Sequence, residues 1–271
     1  MTLPVPTPDQ PVVVNGASSG IGVEIAREFA RRGHGVTLVA RREGPMAALA
    51  DELTAEHGIR VEVVTADLTS SDARTAIATR LDELGLGVSV LVNNAGMSTM
   101  GAVHRSDPDR EIAMIRTDVE AVAHLCSLFL PQMVQRGRGA VLNVASTAAF
   151  QPLPGQAGYG GCKAFVLSYT HAIRGELHGT GVSATVLCPG PVETSFGETA
   201  GISQAEAEKS LPKFMWVTPG AVARQAVEAL DHGRAVVIPG SPNRIAAVLA
   251  YFAPRRLLVP LLAHQHPKLV K

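Results

Sequence analysis

A β-branched run, a glycine-rich turn and an amphipathic helix follow one another without a gap early in this chain. Pro11-Val12-Val13-Val14 reads as a short buried strand. Asn15-Gly16-Ala17-Ser18-Ser19-Gly20-Ile21-Gly22 comes directly after it. Ile25, Ala26, Phe29 and Ala30 then recur at helical spacing until Gly33 stops them. Strand, glycine turn, helix is the geometry of a phosphate site: glycines let the backbone approach the ligand, and the free N–H groups of the helix start favour an anion. The spacing is GxxxGxG, not the GxGxxG of the commonest dinucleotide fingerprint. The same residues also fit GxSxG, with Ser18 as a nucleophile. A hydrolase elbow needs a later acid and histidine in triad order, and Gly22 and the place after the first strand fit a dinucleotide fold better.

The alternation then repeats. Apolar runs at 35–40, 60–66, 88–92, 139–145, 182–188 and 234–238 read as further strands. Helical patterns lie between them, among them 70–84, most of 107–135 (with Val122, Leu125, Phe129 and Met133 as its apolar stripe), and 219–232. Seven strands alternating with helices predict an α/β fold, a parallel sheet with right-handed crossovers and helices on both faces. No internal repeat and no long linker divides the chain, so 1–271 reads as one domain. An irregular segment at about 190–217 and an apolar tail at about 244–271 are its atypical parts.

At 271 residues, 46% of them apolar and 18% charged, the chain can bury one large core and leaves some apolar surface to hide, as in a subunit interface. Lys plus Arg and Asp plus Glu are equal at 24 each, which gives no footprint for nucleic acid or an acidic substrate. Cys126, Cys162 and Cys188 are odd in number and widely spaced, which reads as reduced thiols packed as small hydrophobes in a cytosolic protein. Residues 1–10 lack the basic and apolar regions of a signal peptide. No stretch is long enough to span a bilayer, since Pro254-Arg255-Arg256 breaks the most apolar region.

The second strand ends in Ala40-Arg41-Arg42, where NAD-binding folds place an acidic residue on the adenosine ribose. Cations there suit a 2′-phosphate, so the expected cofactor is NADP(H) in preference to NAD(H). Glu43 reads as a helix-entry residue. Asp67, before Leu68, either caps its turn or holds an adenine edge. Asn93-Asn94-Ala95-Gly96 follows a buried strand and either ties strand ends together or lines the cofactor. Tyr159 and Lys163 stand one helical turn apart, after a strand that ends at Ser146. An ammonium near a phenol favours phenolate, which predicts a Tyr159 pKa lowered from about 10 towards neutrality and a group able to exchange a proton with a carbonyl or alcohol oxygen.

Taken in order, Gly16-Ala17-Ser18-Ser19-Gly20-Ile21-Gly22, Asp67-Leu68, Asn93-Asn94-Ala95-Gly96, Ser146, Tyr159-x-x-x-Lys163 and Pro189-Gly190 resemble the short-chain dehydrogenase/reductase family over nearly the whole chain. The resemblance implies a Rossmann-type doubly wound sheet binding NAD(P) at the carboxyl ends of its strands. It implies Tyr159 as general acid or base, Lys163 as the group that lowers its pKa and holds the nicotinamide ribose, and Ser146 as the hydroxyl orienting the substrate oxygen. Gly16, Ser18, Ser19, Ile21 and Gly22 would cradle the pyrophosphate. Arg41 and Arg42 would meet the 2′-phosphate, Asp67 and Leu68 the adenine, and Asn94, Ala95 and Gly96 the adenosine-side ribose and nearby backbone. Pro189, Gly190, Val192 and Thr194 would lie near the nicotinamide carboxamide and the phosphates.

Three positions depart from the family pattern. Asn15 replaces a threonine and is expected only to brace the turn. Gly160 and Gly161 lie inside the Tyr-Lys helix, each at a cost of about 1 kcal/mol relative to alanine, which predicts close approach of the cofactor or another helix. Asp118 replaces an asparagine whose carbonyl, in many members, holds a water linking the lysine to solvent. Its carboxylate either offsets part of the influence of Lys163 on Tyr159 or simply makes a helix hydrogen bond, and the second is the expectation.

Phe150, Leu153, Phe196, Leu211, Phe214, Met215 and Trp216, with Met97 and Met100 beneath, either form an apolar lid, which predicts an apolar ketone, aldehyde or secondary alcohol as substrate, reduced at the expense of NADPH, or only pack that segment onto the sheet. The tail is read as covering a pocket or a subunit contact in a homodimer or homotetramer, in preference to touching a membrane. His264 and His266 are too few for a metal site. The rival in another class is a protein that binds NADP as a sensor without turnover.

Overall fold

Seven short strands pair side by side, all parallel, in the order β3-β2-β1-β4-β5-β6-β7. They are β1 Val12–Asn15, β2 Val36–Ala40, β3 Val61–Thr65, β4 Val90–Asn93, β5 Gly139–Val144, β6 Val182–Leu187 and β7 Val236–Val237. The computed structural model describes residues 3–199, 212–265 and 269. The expected doubly wound sheet is therefore present. β7 is shorter than its apolar run because only Val236 and Val237 reach a partner, Val186 and Leu187 at the sheet edge.

Side chains alternate across the sheet, which divides the core in two. Val12 and Val14 point into one cluster and Val13 into the other. On the first face lie α1 (Gly20–Arg31), α2 (Glu43–His57) and α7 (Pro219–Asp231), supplying Ile25, Phe29, Met46, Leu53, Val222 and Val227. On the second lie α3 (Ser71–Glu83), α5 (Ala121–Gln135) and α6 (Ala157–Glu176), supplying Ile77, Leu125, Phe129, Met133 and Ile173. Burying one such side chain contributes about 1.5–3 kcal/mol, so truncating the fully buried Phe29 would cost about 3–5 kcal/mol. All three cysteines are free and buried as expected, and burial pushes the Cys126 and Cys188 thiols up to about 12.

The single helix expected over 107–135 is broken. α4 (Pro108–Ile115) passes through one π turn, Arg116–Glu120, before continuing as α5. The wider turn directs Asp118 inward, where it is fully buried. Fully buried Arg74 holds this region from behind. Its guanidinium donates to the Leu68 carbonyl at 2.7 Å and to His124 Nδ1 at 3.0 Å, and pairs with Glu120.

The apolar tail forms two helices, α8 (Ser241–Phe252) and α9 (Arg255–Gln265), separated at Pro254. Within the lid and tail segments, Leu211, His266, Lys268 and Lys271 lie outside the described residues.

Candidate active site

The strand order reverses between β1 and β4, and a crevice opens there at the carboxyl ends of the strands, where doubly wound sheets hold ligands. Gly16 adopts φ +68°, and a Cβ on it would lie 2.8 Å from the Ala95 backbone. A Cβ on Gly22 would overlap the Gly16 carbonyl oxygen and lie 2.6 Å from Asn94 Nδ2. Only glycine lets the turn, the first helical turn and the β4 end pack this closely. Asn94 Nδ2 donates to the Asn15 and Gly16 carbonyls at 3.1 and 3.2 Å, which fixes the loop. Ser19 precedes α1 without capping it through its side chain, so the first-turn N–H groups remain available to an anion.

A buried chain of amides carries this geometry across the sheet. Asn15 Nδ2 donates to Asn93 Oδ1 at 2.8 Å, Asn93 Nδ2 to Asn143 Oδ1 at 2.9 Å, and Asn143 Nδ2 to Thr170 Oγ1 at 3.0 Å. Asn15 Oδ1 also accepts from the N–H groups of Asn94 and Ala95 at 2.8 and 2.7 Å. Asn15 thus braces the turn as expected. Of the two asparagines, Asn93 ties strand ends and Asn94 both braces the loop and faces the crevice.

The crevice has a volume of about 770 Å³, within the range of cofactor and small-molecule sites. Gly16, Ser18, Ser19 and Ile21 line it together with Arg41, Arg42, Asp67 and Leu68. Asn94, Ala95, Gly96, Ser146, Tyr159, Lys163, Pro189, Gly190, Val192 and Thr194 complete the predicted set. Two predicted residues do not reach the wall: Gly22 lies buried behind the Gly16 turn, and Asp118 behind Lys163. Ala113 and Thr117 line the crevice unforeseen; Ala113 lies on α4 and Thr117 one turn on, in the π turn, where its hydroxyl donates to the Ala113 carbonyl at 2.9 Å. Arg74, which anchors Leu68, also carried no signal beyond its place in a helix.

At one end Arg42 donates to the Ser18 carbonyl and hydroxyl, both at 3.2 Å, and exposed Arg41 stands near Asp67. Asp67 Oδ1 accepts from Thr69 N–H at 3.0 Å and from its hydroxyl at 2.9 Å, so it caps its own turn. The Thr69 N–H, against the cost of burial, holds its carboxyl below the usual range. No histidine lines the crevice among the described residues, which leaves the Ser18 elbow without a base. The cradle that any Cβ would fill, the uncapped helix start and the paired cations together fit a dinucleotide.

At the other end the Tyr159, Lys163 and Ser146 side chains converge. Lys163 Nζ lies 5.6 Å from the Tyr159 ring centre and donates to the Val144 carbonyl at 3.2 Å. Ser146 Oγ accepts from Ala148 N–H at 3.1 Å and donates to the Pro189 carbonyl at 3.4 Å. Asp118 does not make the expected helix hydrogen bond. Its Oδ1 accepts from Met97 N–H at 2.9 Å and its Oδ2 lies 2.9 Å from Lys163 Nζ, as an ion pair off the line of a hydrogen bond. A Cβ on Gly96 would lie 3.0 Å from Oδ2 and 3.1 Å from Nζ, so glycine there makes room for the pair.

This pair changes the electrostatics expected from sequence. Burial opposes the Lys163 charge, yet the Asp118 carboxylate holds the lysine pKa above its ordinary value. Burial raises the Asp118 pKa more than Lys163 lowers it. Burial also raises Tyr159; Lys163 and Ser146 pull it down, and Asp118 pushes it back up. The net direction is upward from the ordinary tyrosine value, not towards neutrality as the Tyr-Lys spacing predicted.

The lid is smaller than its apolar residues suggested. Phe196, Trp216 and Met97 line the crevice, and the Phe196 ring lies 5.9 Å from Tyr159. A bridge between Val192 and Val217 draws the two ends of the segment together. Phe214 is 71% exposed and points away, and Phe150 packs on Tyr251 instead. Met100 does not reach the wall. A Cβ added at Gly160 would lie 3.2 Å from Leu153 Cβ, so among the described residues the close approach comes from a loop and not from another helix; one added at Gly161 would meet nothing described within 4 Å.

A family model described as short chain dehydrogenase matches residues 10–205. The chain belongs to the short-chain dehydrogenase/reductase family. It is accordingly an oxidoreductase that uses NAD(P). Among short-chain dehydrogenases, it is 38% identical over 187 residues to an uncharacterized oxidoreductase of Myxococcus xanthus, covering 69% of this chain and 74% of the relative. It is 36% identical over 182 residues to an NADP-dependent 3-hydroxy acid dehydrogenase of Salmonella typhi, covering 67% and 72%. A solved short-chain dehydrogenase from Sphingobium yanoikuyae, in complex with NADPH, superposes with a TM-score of 0.80 at 32% identity, covering 93% of this chain and 95% of that one.

Proposed function

We propose that this short-chain dehydrogenase/reductase is an NADP(H)-dependent carbonyl reductase acting on an apolar substrate, with Tyr159 as its general acid. The observation that carries the reading is the convergence of Tyr159, Ser146 and Lys163 beneath Phe196, Trp216 and Met97 at one end of a crevice whose other end carries Arg41 and Arg42. Similarity to an NADP-dependent relative and to a structure in complex with NADPH supports the cofactor choice.

Bound NADPH supplies the hydride that makes the carbonyl carbon tetrahedral. Gly16, Ser18, Ser19, Ile21 and the first turn of α1 hold the pyrophosphate, and Arg41 and Arg42 the 2′-phosphate. Ser146 donates its hydroxyl proton as a hydrogen bond to the substrate oxygen and stabilises the charge that grows there. Tyr159 gives that oxygen a proton. Burial, set against the pull of Lys163 and Ser146, favours the neutral phenol, the state an acid needs. Lys163 stabilises the phenolate left behind, and Asp118 holds the lysine in place and tempers its charge. Phe196 and Trp216 favour an apolar substituent and exclude water.

Following NADPH absorbance with a panel of carbonyl compounds, with Tyr159→Phe as control, tests the reading. Tyr159-dependent oxidation of NADPH by apolar ketones or aldehydes is expected. The Lys163–Asp118 pair favours a second reading, a non-catalytic NADP sensor, because it weakens the activation of Tyr159. Tight NADPH binding with no Tyr159-dependent turnover across the panel would decide for the sensor.

A further inference from the structure

The last forty residues, 232–271, carry six cations and no Asp or Glu. The 231 residues before them carry eighteen cations against twenty-four acids, so the neutral total conceals a polarised chain. The cationic end is also where the described surface is most apolar. On α8, Ile245, Val248, Leu249 and Phe252 recur at i, i+3, i+4 and i+7 and share one face. Leu249 is 67% exposed and Phe252 77%, while the helix buries only Asn243 and Ala247. α9 extends the surface with exposed Leu257 and Leu261, and Arg255 and Arg256 stand at the joint.

We propose that α8 and α9 dock on an anionic lipid surface, with the apolar face toward the acyl chains and Arg244 and Arg256 toward the headgroup phosphates. Exposed apolar side chains in a row, flanked by arginines and by no acid, match an interfacial helix. Each cation near an anionic leaflet adds attraction that an uncharged lipid does not offer. A second copy seated on the same patch about a two-fold axis would set these arginines against themselves, with no acid in 232–271 to pair them. No described helix is long and apolar enough to cross a membrane, so the docking lies in the plane of the surface.

The patch adjoins the crevice. α8 rests on the turn Thr147–Phe150 that follows Ser146, where the Tyr251 ring meets Phe150 at 6.4 Å between centres. Asn243 Nδ2 donates to the Met215 carbonyl at 2.9 Å, beside the Trp216 that lines the crevice. Docking through α8 therefore sets the Ser146 side of the crevice next to the lipid. The inference does not depend on the substrate proposed above, because lipid binding is read without turnover.

Cosedimentation of the full chain with vesicles tests it, using phosphatidylcholine alone and phosphatidylcholine mixed with phosphatidylglycerol. Binding to the mixed vesicles about tenfold or more above the neutral ones, weakened by salt, is expected. Leu249→Gln/Phe252→Gln and, separately, Arg244→Glu/Arg256→Glu should each lower it about tenfold, with unchanged thermal melting showing that both variants fold. Equal sedimentation with both kinds of vesicle overturns the proposal. So does full vesicle binding by both folded variants, or a solution dimer that both variants break while vesicle binding is absent.

Discussion

Asp118 and Lys163 form an ion pair at 2.9 Å in which the carboxylate side chain is 0% exposed and the ammonium 5%. The lysine beneath the proposed acid is thus already engaged by a counter-charge. Breaking a buried pair by removing one partner costs about 3–5 kcal/mol, so Asp118→Ala should lower the unfolding midpoint sharply.

Asp118→Asn should keep the shape and remove the charge. Without the carboxylate, Lys163 acts on Tyr159 undiminished and the tyrosine pKa falls. Carbonyl reduction needs the phenol protonated, so its rate declines as pH rises through that pKa. The decline should begin at lower pH in Asp118→Asn than in the parent, and alcohol oxidation, which needs phenolate, should reach its plateau at lower pH. Initial rates across an alkaline pH series check both directions; superimposable profiles would show that the pair does not tune Tyr159.

Arg41 is exposed just after β2, and in the proposed function it meets the 2′-phosphate. A charge-assisted hydrogen bond is worth about 1.5–3 kcal/mol, so Arg41→Ala should raise KM for NADPH about 10- to 100-fold and leave KM for NADH nearly unchanged. Comparing the two cofactors at one substrate concentration measures this.

Gly22→Ala places a methyl group against the Gly16 carbonyl and Asn94. Overpacking of this kind costs about 1–3 kcal/mol, and here it would displace the turn proposed to hold the pyrophosphate. NADPH affinity, followed by nicotinamide fluorescence, should fall about 10- to 100-fold.

His34 is buried edge-on against Phe29, and burial lowers its pKa from 6.5 to about 4. The unfolded chain then binds the extra proton more readily, so stability is full above pH 6.5 and is lost as pH falls towards 4. The loss between pH 8 and pH 5 should be about 2 kcal/mol. Unfolding free energies from denaturant titrations at the two pH values should fall by about 2 kcal/mol more in the parent than in His34→Gln.

Much of this was legible in local patterns. The strands announced themselves as β-branched runs, and the glycine turn by its place between a strand and a helix. Tyr159 and Lys163 needed only helical periodicity to be set together. What the sequence withheld depended on contacts between distant segments. Nothing around Asp118 signals a π turn, and its pairing with Lys163 needs Gly96 to leave space. The direction of the Tyr159 shift follows from burial, which exists only in the assembled fold. Apolar residues of the irregular segment lack periodicity, so Phe214 and Phe196 looked equivalent although one faces solvent and the other the crevice.

The amide chain from Asn15 through Asn93 and Asn143 to Thr170 also bears on the order of assembly. Its links join residues 78, 50 and 27 positions apart, on β1, β4, β5 and α6. Contacts of such separation form after local ones, because the intervening loops must close first. The turn that carries Gly16 should therefore take its final shape only once α6 has docked. During synthesis, competence to hold a dinucleotide should arrive as a late and concerted event, long after the residues that touch it have left the ribosome.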